Sequence, residues 1–486
     1  MLFNSYIFIL FFLPITLIGY YVLNHYGKEL LAKSLLLVMS LWFYAYFEIT
    51  YLFIILGSIG VNYGISKCLN RDEKNIKRKI ILAVGILLNV AVIFYFKYFD
   101  FFLENVNYIL GTGFVERNIL MPLGISFFTF QQISYLVDSY RGETCGYTFL
   151  DYALFVSFFP QLVAGPIVLH GEMISQFNDK AKKKLNQEAL AKGIWLFATG
   201  LFKKVMIADT LGKAVTFGFD NVENLVGANA WLVMLCYTLQ LYFDFSGYCD
   251  MAIGIANMFH MELPINFNSP YKATSLTEFW QRWHMTLTRF LRDYIYIPLG
   301  GNRKGEIRTL INIMIIYLVS GIWHGAQWTF VVWGLAHGLV RVLEKVCEGG
   351  LKKTPKFLRW MGTFLFVNLA WVMFRAENLQ DAWCFYRNMW KGWDAGLQAG
   401  LLETFEMLEF TYIVEHVPVL TAFVGNYPWV YMAVAIVLPL MLVLFAKNCH
   451  EKEFKPTLGN ACGSIVLLVW SIMTFSGVST FLYFNF

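Results

Sequence analysis

Charged side chains are scarce in this sequence. Only 15% of its 486 residues are Asp, Glu, Lys or Arg, whereas 58% are hydrophobic, and the mean hydropathy is +0.53. Because soluble domains carry about 25% charged residues, this chain has too few of them to cover a water-exposed globule. The composition excludes an ordinary soluble protein and predicts an integral membrane protein, in contact with lipid.

Signatures of several other protein classes are missing. The eight cysteines include no CxxC pair and no regular spacing, which argues against a zinc site or a disulfide framework. The sequence has no glycine-rich phosphate loop, no HExxH motif and no Ser-His-Asp order. The net charge of +5 comes from local clusters and indicates no nucleic-acid partner. We therefore expect no metal and no bound cofactor.

Long apolar runs recur along the whole chain, and a bilayer core needs about 20 mostly apolar residues per helix. The runs lie near residues 5–24, 33–47, 50–69, 80–98, 118–137, 149–168, 190–208, 228–258, 309–345, 360–374, 428–446 and 463–484. The runs 228–258 and 309–345 are long enough for two short helices, or for one tilted helix and a re-entrant piece. We expect an all-α, polytopic bundle of about eleven to thirteen helices, with re-entrant or interfacial helices in addition.

The chain is expected to form one membrane domain over residues 1–486. It has no internal repeat and no low-complexity linker. Its first residues lack the basic region of a cleavable signal peptide, so the first run is expected to be a span. Lys28, Lys33 and the basic loop 70–79 lie two spans apart, which places both loops on one side of the membrane. By the positive-inside rule that side is the cytoplasm of a cell-membrane protein, and the N-terminus lies outside.

A histidine lies deep inside the run 309–345. His324 is flanked by Gly321 and Gly325, which would share one helix face and let another backbone approach closely. A neutral imidazole at membrane depth can accept a proton from an attacking hydroxyl. The alternative is a buried histidine bonded to a backbone carbonyl. His337 is thirteen residues further on, about 20 Å along a continuous helix, and can join the same site only if the helix breaks.

The segment 277–294 is amphipathic and too charged to span comfortably, so we expect an interfacial or re-entrant helix. On a continuous helix, Arg282, Arg289 and Arg292 fall near one face. That face could bind anionic lipid headgroups or the phosphates of a nucleotide carrier, and the alternative is ordinary snorkelling. His284 lies in the same segment and is the second candidate active-site residue.

Two further regions place polar residues inside apolar runs. Asp244 and Asp250 are six positions apart and point to different faces of a helix, so they are expected to bond tyrosine or arginine across a helix interface. Gln131 follows Pro122 and Gly124 in an apolar run. Proline and glycine in such runs kink helices and commonly line cavities, although simple helix termination is the alternative.

Taken together, these segments resemble the membrane-bound O-acyltransferases, most closely the bacterial branch that includes the membrane subunit of alginate O-acetylation. The resemblance covers nearly the whole chain, and the order of the motifs makes it specific. The motifs are 122–127 (PLGISF), 243–248 (FDFSGY), 278–284 (EFWQRWH), 291–301 (LRDYIYIPLGG), 321–325 (GIWHG) and 481–486 (FLYFNF).

The resemblance implies a helical bundle around a tunnel that crosses the bilayer. It implies that acetyl-CoA, as a substrate, delivers its acyl group from the cytoplasm to a hydroxyl of an exported polysaccharide. The family's essential histidine matches His324, the expected general base. A second position, histidine or asparagine in the family, matches His284, which would orient or polarise the thioester carbonyl. Further residues expected at the tunnel are Trp283, Trp323, Asp244, Arg282 and Gln131.

Relatives in this branch hand the acyl group to a separate secreted or membrane-anchored protein, so the resemblance implies such a partner. Two alternatives stay open at this point. One is D-alanyl transfer from an acylated carrier protein towards teichoic acid. The other is a transporter or lipid flippase, which would share the spans and buried charges but would need an inverted repeat.

Overall fold

The computed structural model describes residues 1–70, 76–475 and 481–482 of the chain. Every regular element in that part of the chain is a helix, and the β-type pairing found there is an isolated antiparallel bridge between Phe267 and Trp283. The expected all-α architecture is confirmed. Residues 71–75 of the basic loop and residues 483–486 of the aromatic tail motif lie outside the described residues.

In chain order, the α-helices of the described residues are α1 (Leu13–His25), α2 (Glu29–Ala45), α3 (Ile49–Leu69), α4 (Ile76–Ile93), α5 (Phe99–Leu110), α6 (Ile125–Arg141), α7 (Phe149–Ser157), α8 (Phe159–Leu162), α9 (His170–Asn178), α10 (Gln187–Phe202), α11 (Asp209–Asp220), α12 (Ala228–Met258), α13 (Leu276–Arg282), α14 (Met285–Leu291), α15 (Glu306–His324), α16 (Trp328–Val346), α17 (Glu348–Leu351), α18 (Lys356–Arg375), α19 (Leu379–Asn388), α20 (Ala399–Glu403), α21 (Leu408–His416), α22 (Pro418–Asn426), α23 (Val430–Phe445) and α24 (Leu458–Met473). Segments of π-helix are Phe8–Phe12, Phe94–Tyr98, Lys203–Ala208 and Arg292–Tyr296, and short 3-10 helices are Ala181–Lys183 and Pro270–Lys272.

By length and composition, five helical segments of the described residues can cross a membrane, and one bent pair would make a sixth. The five are Phe8–His25, Ile49–Leu69, Ile76–Leu110, Glu306–His324 and Lys356–Arg375, and the bent pair is α22 with α23. The chain is a multi-pass membrane protein, with fewer such helices than the roughly eleven to thirteen expected. The difference arises because α2 and α7 have only 17 and 9 residues, while α16 carries Arg341, Glu344 and Lys345.

Helix α12 lies at the centre of the bundle and is buried along nearly its whole length. Glycines let α10 approach it closely. A Cβ atom on Gly193 would lie 2.6 Å from the carbonyl oxygen of Gly254, and one on Gly200 would lie 2.5 Å from that of Gly247. Small residues at such crossings are typical of packed membrane helices.

The two aspartates of α12 each pair with a lysine of the π-helical segment that follows α10. An Asp244 carboxylate oxygen lies 2.7 Å from Lys204 Nζ, and one of Asp250 lies 2.6 Å from Lys203 Nζ. Asp244 also accepts a hydrogen bond of 3.1 Å from the backbone N–H of Leu482, which ties this part of the C-terminal segment to the core. The predicted bonding role across a helix interface is confirmed, but the partners are lysines, so the expected tyrosine or arginine partner is wrong.

The run 309–345 divides into α15 and α16, because the backbone becomes extended at Gly325 and the chain turns back. The two helices then pack as a hairpin. A Cβ atom on Gly321 or on Gly334 would lie 2.4 Å from a carbonyl oxygen of the opposite helix. The helix therefore does break, and His337 returns towards the level of α15, where its ring lies 6.2 Å from that of Tyr317.

This hairpin predicts a packing defect that can be measured. Gly334→Ala should destabilise the solubilised protein by about 1–3 kcal/mol, because the added methyl group has no space and the backbones must separate. Thermal unfolding in detergent measures the effect. Gly57→Ala in α3 is the matched control, since a Cβ atom there would meet nothing within 4 Å. Equal melting temperatures for the two variants would contradict the packing argument.

The segment 277–294 is not the continuous helix expected. The chain turns between α13 and α14, so the common face expected for Arg282, Arg289 and Arg292 is wrong. Arg282 instead pairs with Glu278 and Arg289 with Glu172, each at 2.9 Å. The turn places His284 between two short helices.

Candidate active site

His324 is the last residue of α15, one residue before the break at Gly325. Its side chain is buried, with only 4% of the residue exposed. Aromatic rings surround the imidazole, with centroid separations of 4.9 Å to Trp323, 5.3 Å to Trp333 and 5.0 Å to Phe374. The end of α15 therefore places the His324 imidazole among apolar aromatic rings.

His284 occupies the turn between α13 and α14 in a left-handed conformation, with φ 46° and ψ 51°. Such a conformation is uncommon outside glycine and persists only where the surroundings enforce it. Here the bridge between Phe267 and Trp283 and the hydrogen bond from the Met285 N–H to the Asn266 carbonyl (3.0 Å) hold the turn on both sides. The imidazole is completely buried.

Trp323 brings the two predicted catalytic histidines together. Its ring centroid lies 4.9 Å from that of His324 and 6.1 Å from that of His284. Phe245 of α12 packs on His284 at 4.8 Å, and Phe130 of α6 stacks on Trp323 at 5.2 Å. Residues from four different helical segments therefore build one buried site.

The hydrogen bonds of Asn266 fix the tautomer of His284. The Asn266 Oδ1 atom accepts from the Thr286 backbone N–H at 3.1 Å, which identifies it as the oxygen. The same atom lies 3.2 Å from His284 Nδ1. Because an amide oxygen only accepts, Nδ1 must carry the proton, and a neutral His284 has its lone pair on Nε2.

Two of the other predicted residues lie beside this site. Trp283 is buried, and its ring is 5.1 Å from that of Trp371. Gln131 is 2% exposed, and its Oε1 has no hydrogen-bond partner among the described residues. Gln131 lies one helical turn after Phe127, whose ring contacts both Trp323 and His284, so both residues occupy neighbouring positions on α6.

Arg282 and Asp244 use their polar atoms elsewhere. Arg282 donates to the carbonyl of Asn268 at 3.2 Å in addition to its ion pair with Glu278. Asp244, on α12, is paired with Lys204. Their contacts support the fold around the site and connect neither group to the imidazoles.

Comparison with known proteins identifies the family of this chain. The sequence profile of the membrane-bound O-acyltransferase family matches residues 31–380, which include both histidines and Asn266. The chain belongs to the membrane-bound O-acyltransferase family. It is an acyltransferase, and the resemblance stated from the motifs is confirmed.

Relatives within the membrane-bound O-acyltransferases cover most of the chain. A peptidoglycan O-acetyltransferase of Helicobacter pylori is 41% identical over 519 aligned positions, covering 100% of this chain and 98% of its own length. A probable alginate O-acetylase of Pseudomonas aeruginosa is 40% identical over 400 positions, 80% of this chain and 75% of its own. A teichoic acid D-alanyltransferase of Streptococcus thermophilus is 26% identical over 305 positions and covers 55% of this chain.

Sequence reasoning missed two residues of this membrane-bound O-acyltransferase site and expected a third, His337, there only if its helix broke. Asn266 lies in a polar stretch with no motif of its own. Lys97 donates hydrogen bonds to the carbonyls of Trp323 and His324, although it appeared only as the end of an apolar run. His337 accepts a hydrogen bond of 3.3 Å from Trp280 Nε1. The available signal for Lys97 was its position inside a hydrophobic run. A charged side chain in a membrane span is energetically unfavourable and commonly has a functional role.

A cavity of about 450 Å³ is lined by both helices that flank His284, through Gln281 of α13 and Leu287 of α14. It extends along α15 to Ser320, one helical turn before His324, and Trp280 and Thr288 contribute to its wall. The cationic side chains at this cavity are Arg292, Arg341 and Lys345. A partly apolar cavity with cations in its wall could bind part of a donor that carries phosphates.

Two groups of side chains in the described residues have ligand atoms close enough together to bind a metal ion. They are Asp250, Cys449 and His450, and Asp138, Glu143 and His170. In both groups a cation already neutralises the aspartate, from Lys203 at 2.6 Å and from Arg141 at 3.0 Å. Burial disfavours the charged form of His450, but its hydrogen bond to Asp250 raises the pKa of His450 to about 10. Ion pairing accounts for both groups.

Proposed function

We propose that this enzyme transfers an acetyl group from acetyl-CoA in the cytoplasm to a hydroxyl of a polysaccharide outside the cell membrane. The observation that carries the proposal is the pair of buried imidazoles on either side of Trp323, one of them with a fixed tautomer. Acyl transfer to a hydroxyl needs a group that accepts the hydroxyl proton, and a neutral imidazole meets that need.

In the proposed reaction, the acceptor oxygen attacks the thioester carbonyl, a C–O bond forms and the C–S bond breaks. His324 takes the hydroxyl proton and then returns it to the leaving thiolate, so the products are an ester and free coenzyme A. The aromatic surroundings exclude water, which protects the thioester from hydrolysis. We assign His324 as the general base.

The hydrogen bond between His284 and Asn266 supports one of the two roles expected for His284. Its N–H is directed to Asn266, so the neutral ring presents a lone pair at Nε2 and cannot donate to a thioester carbonyl. We therefore assign His284 an orienting role, in which Nε2 accepts a hydrogen bond from the substrate. Gln131, with a buried oxygen that has no partner among the described residues, is proposed as a second polar contact.

Peptidoglycan is the acceptor we favour among exported polysaccharides. Similarity to the Helicobacter pylori peptidoglycan O-acetyltransferase extends over the entire chain, whereas the alginate O-acetylase of Pseudomonas aeruginosa covers 80% of it. Transfer of D-alanine is the second candidate, supported by the more distant D-alanyltransferase. We further propose the orientation expected from the basic loops, with an external N-terminus in the cytoplasmic membrane. A secreted or anchored partner is proposed to relay the acetyl group to the polysaccharide.

The cationic cavity provides a test of the donor. Acetyl-CoA carries phosphates that acetyl-pantetheine lacks, so we expect purified enzyme in nanodiscs to have about a tenfold lower KM for acetyl-CoA, a difference of about 1.4 kcal/mol. Lys345→Met should remove most of that preference, since Lys345 lines the cavity. Transfer of radiolabelled acetyl to a soluble glycan fragment measures both rates.

The matched control for this test is Lys353→Met. Lys353 follows Lys345 in the sequence but is not among the residues that line the cavity. It should keep the wild-type preference. Wild-type enzyme that ignores acetyl-CoA and consumes a D-alanyl carrier protein would reject acetylation in favour of the second candidate.

A further inference from the structure

Lys97 is a cation inside the membrane-spanning segment Ile76–Leu110. It lies in the π-helical turn Phe94–Tyr98, and its ammonium group crosses to the end of α15. There Nζ lies 2.7 Å from the carbonyl oxygen of Trp323 and 3.0 Å from that of His324. Ser126 Oγ lies 3.4 Å away on the third side. An ammonium group has three donors, and these three oxygens match them.

The end of α15 needs such a partner. The last carbonyls of a helix have no N–H of their own helix to bond, and they form the negative end of the helix dipole. In a membrane there is little water to satisfy them. Tyr98 adds a second donor, because its hydroxyl bonds the carbonyl of Ile322 at 2.7 Å. Two adjacent residues of one helix thus cap the last turn of another, the turn that carries His324.

We propose that Lys97 is a positioning residue, which fixes the last turn of α15 so that the His324 imidazole stays beside Trp323 and faces the substrate. Lys97 itself does not contact the reacting atoms, because its donors are directed to backbone carbonyls and to Ser126. The inference rests on the proposed function, since it takes His324 as the base. It adds that the catalytic geometry depends on a helix more than 200 residues earlier in the sequence.

The position of the cation supports this role over ordinary snorkelling. A snorkelling lysine extends towards water at the membrane surface, whereas Lys97 is directed to the protein interior and also approaches the Trp323 ring at 6.0 Å. Replacement by an apolar residue would leave two carbonyls at the catalytic turn without their donor. A displacement of about 1 Å at a catalytic group can cost about 10²-fold in rate.

The test compares Lys97→Met, Lys97→Arg and Tyr98→Phe in purified enzyme. Lys97→Met should lower kcat for acetyl transfer about 10²-fold while the KM for acetyl-CoA changes less than about twofold, because the donor cavity is unaffected. Lys97→Arg should recover about a tenth or more of the wild-type kcat, since a guanidinium can donate to the same carbonyls. Hydrogen exchange of the peptide that contains residues 318–328 should become faster in Lys97→Met than in the wild-type enzyme or in Lys97→Arg.

Lys67→Met is the matched control. Lys67 also lies in a spanning helix, donates to a backbone carbonyl (Tyr147, 3.1 Å) and approaches a tyrosine ring at 4.8 Å, but that carbonyl precedes α7 and does not belong to the helix that carries His324. It should retain wild-type kcat. If Lys97→Met does not fold, Tyr98→Phe removes one hydroxyl from the same cap and should lower kcat about tenfold at unchanged KM.

The outcomes separate the two proposals. Wild-type kcat in both Lys97→Met and Tyr98→Phe, with His324→Gln inactive, would overturn the positioning role and leave the proposed function standing. Loss of kcat in Lys97→Met with no recovery in Lys97→Arg, and an equal loss in Lys67→Met, would also overturn it. No acetyl transfer by the wild-type enzyme from acetyl-CoA would reject the proposed function itself.

Discussion

His324→Gln should lower kcat for acetyl transfer about 10³-fold, within the range that a general base contributes. Glutamine is similar in size and polar, but it cannot accept a proton at neutral pH. The KM for acetyl-CoA should change little, because the cationic cavity extends only to Ser320, one helical turn before His324. The measurement is the initial rate of radiolabelled acetyl transfer to a glycan fragment. The two enzymes are compared at equal concentration, and equal melting temperatures show that both are folded.

His450→Gln is the control for this prediction. His450 is also half-buried and hydrogen-bonded, but its partner is Asp250 at 2.7 Å, away from the aromatic site. This variant should keep kcat within about threefold, since distant sites contribute independently. Equal rates for His324→Gln and the wild-type enzyme would remove His324 from the chemistry.

His284→Gly should lower kcat about 10²-fold by removing the imidazole that orients the substrate. Glycine is the appropriate replacement because residue 284 has φ 46°, a conformation that glycine adopts without strain. His284→Asn should lose less activity, about tenfold, because asparagine tolerates the left-handed region and keeps a polar group at the position. Single-turnover rates with acetyl-CoA bound in advance measure the effect on the chemical step.

Asn266 gives a second approach to the same role. Asn266→Leu removes the acceptor that holds the proton on Nδ1 of His284, so either nitrogen can then carry it. If Asn266 acts through His284, Asn266→Leu should cost nothing further in a His284→Gly background, since residues that act as a unit are not additive. Fully additive losses in the double variant would show that Asn266 supports the fold rather than the imidazole.

The sequence predicted the family better than the path of the backbone. The motifs around His284 and His324 identified the family and both imidazoles. This was possible because the order of the motifs along the chain does not depend on the backbone conformation between them. Their proximity through Trp323 followed from the family resemblance and not from periodicity. The expected common face of Arg282, Arg289 and Arg292 failed for the same reason, since periodicity assumes a helix that does not break.

The breaks themselves depend on contacts distant in sequence. The turn at His284 is held by Asn266 and by the bridge from Phe267, and neither is visible in the pattern of residues 277–294. The chain turns back at Gly325, so α16 brings His337 next to Trp333 in the aromatic cluster. On a straight helix His337 would lie far from that cluster. Lys97 was missed because its partners are backbone carbonyls, which carry no sequence signature.

By length and composition, fewer helices of the described residues qualify as spans than the apolar runs predicted. A run of apolar residues can be buried against other helices of the same chain instead of against lipid, and hydropathy does not distinguish the two environments. Helix α12 shows this, because most of its side chains contact protein and its two aspartates pair with Lys203 and Lys204. Composition therefore identified a membrane protein but not which helices face the bilayer.

The most direct test of the central claim is the amount of ester-linked acetate on the exported wall polysaccharide of cells that lack this chain. The cells are complemented with the wild-type chain or with His324→Gln at equal protein levels, and acetate is released by mild base and quantified. We predict that the wild-type chain restores the acetate and that His324→Gln leaves it at the level of the deletion. Full restoration by His324→Gln, or the appearance of D-alanine esters in place of acetate, would contradict the account.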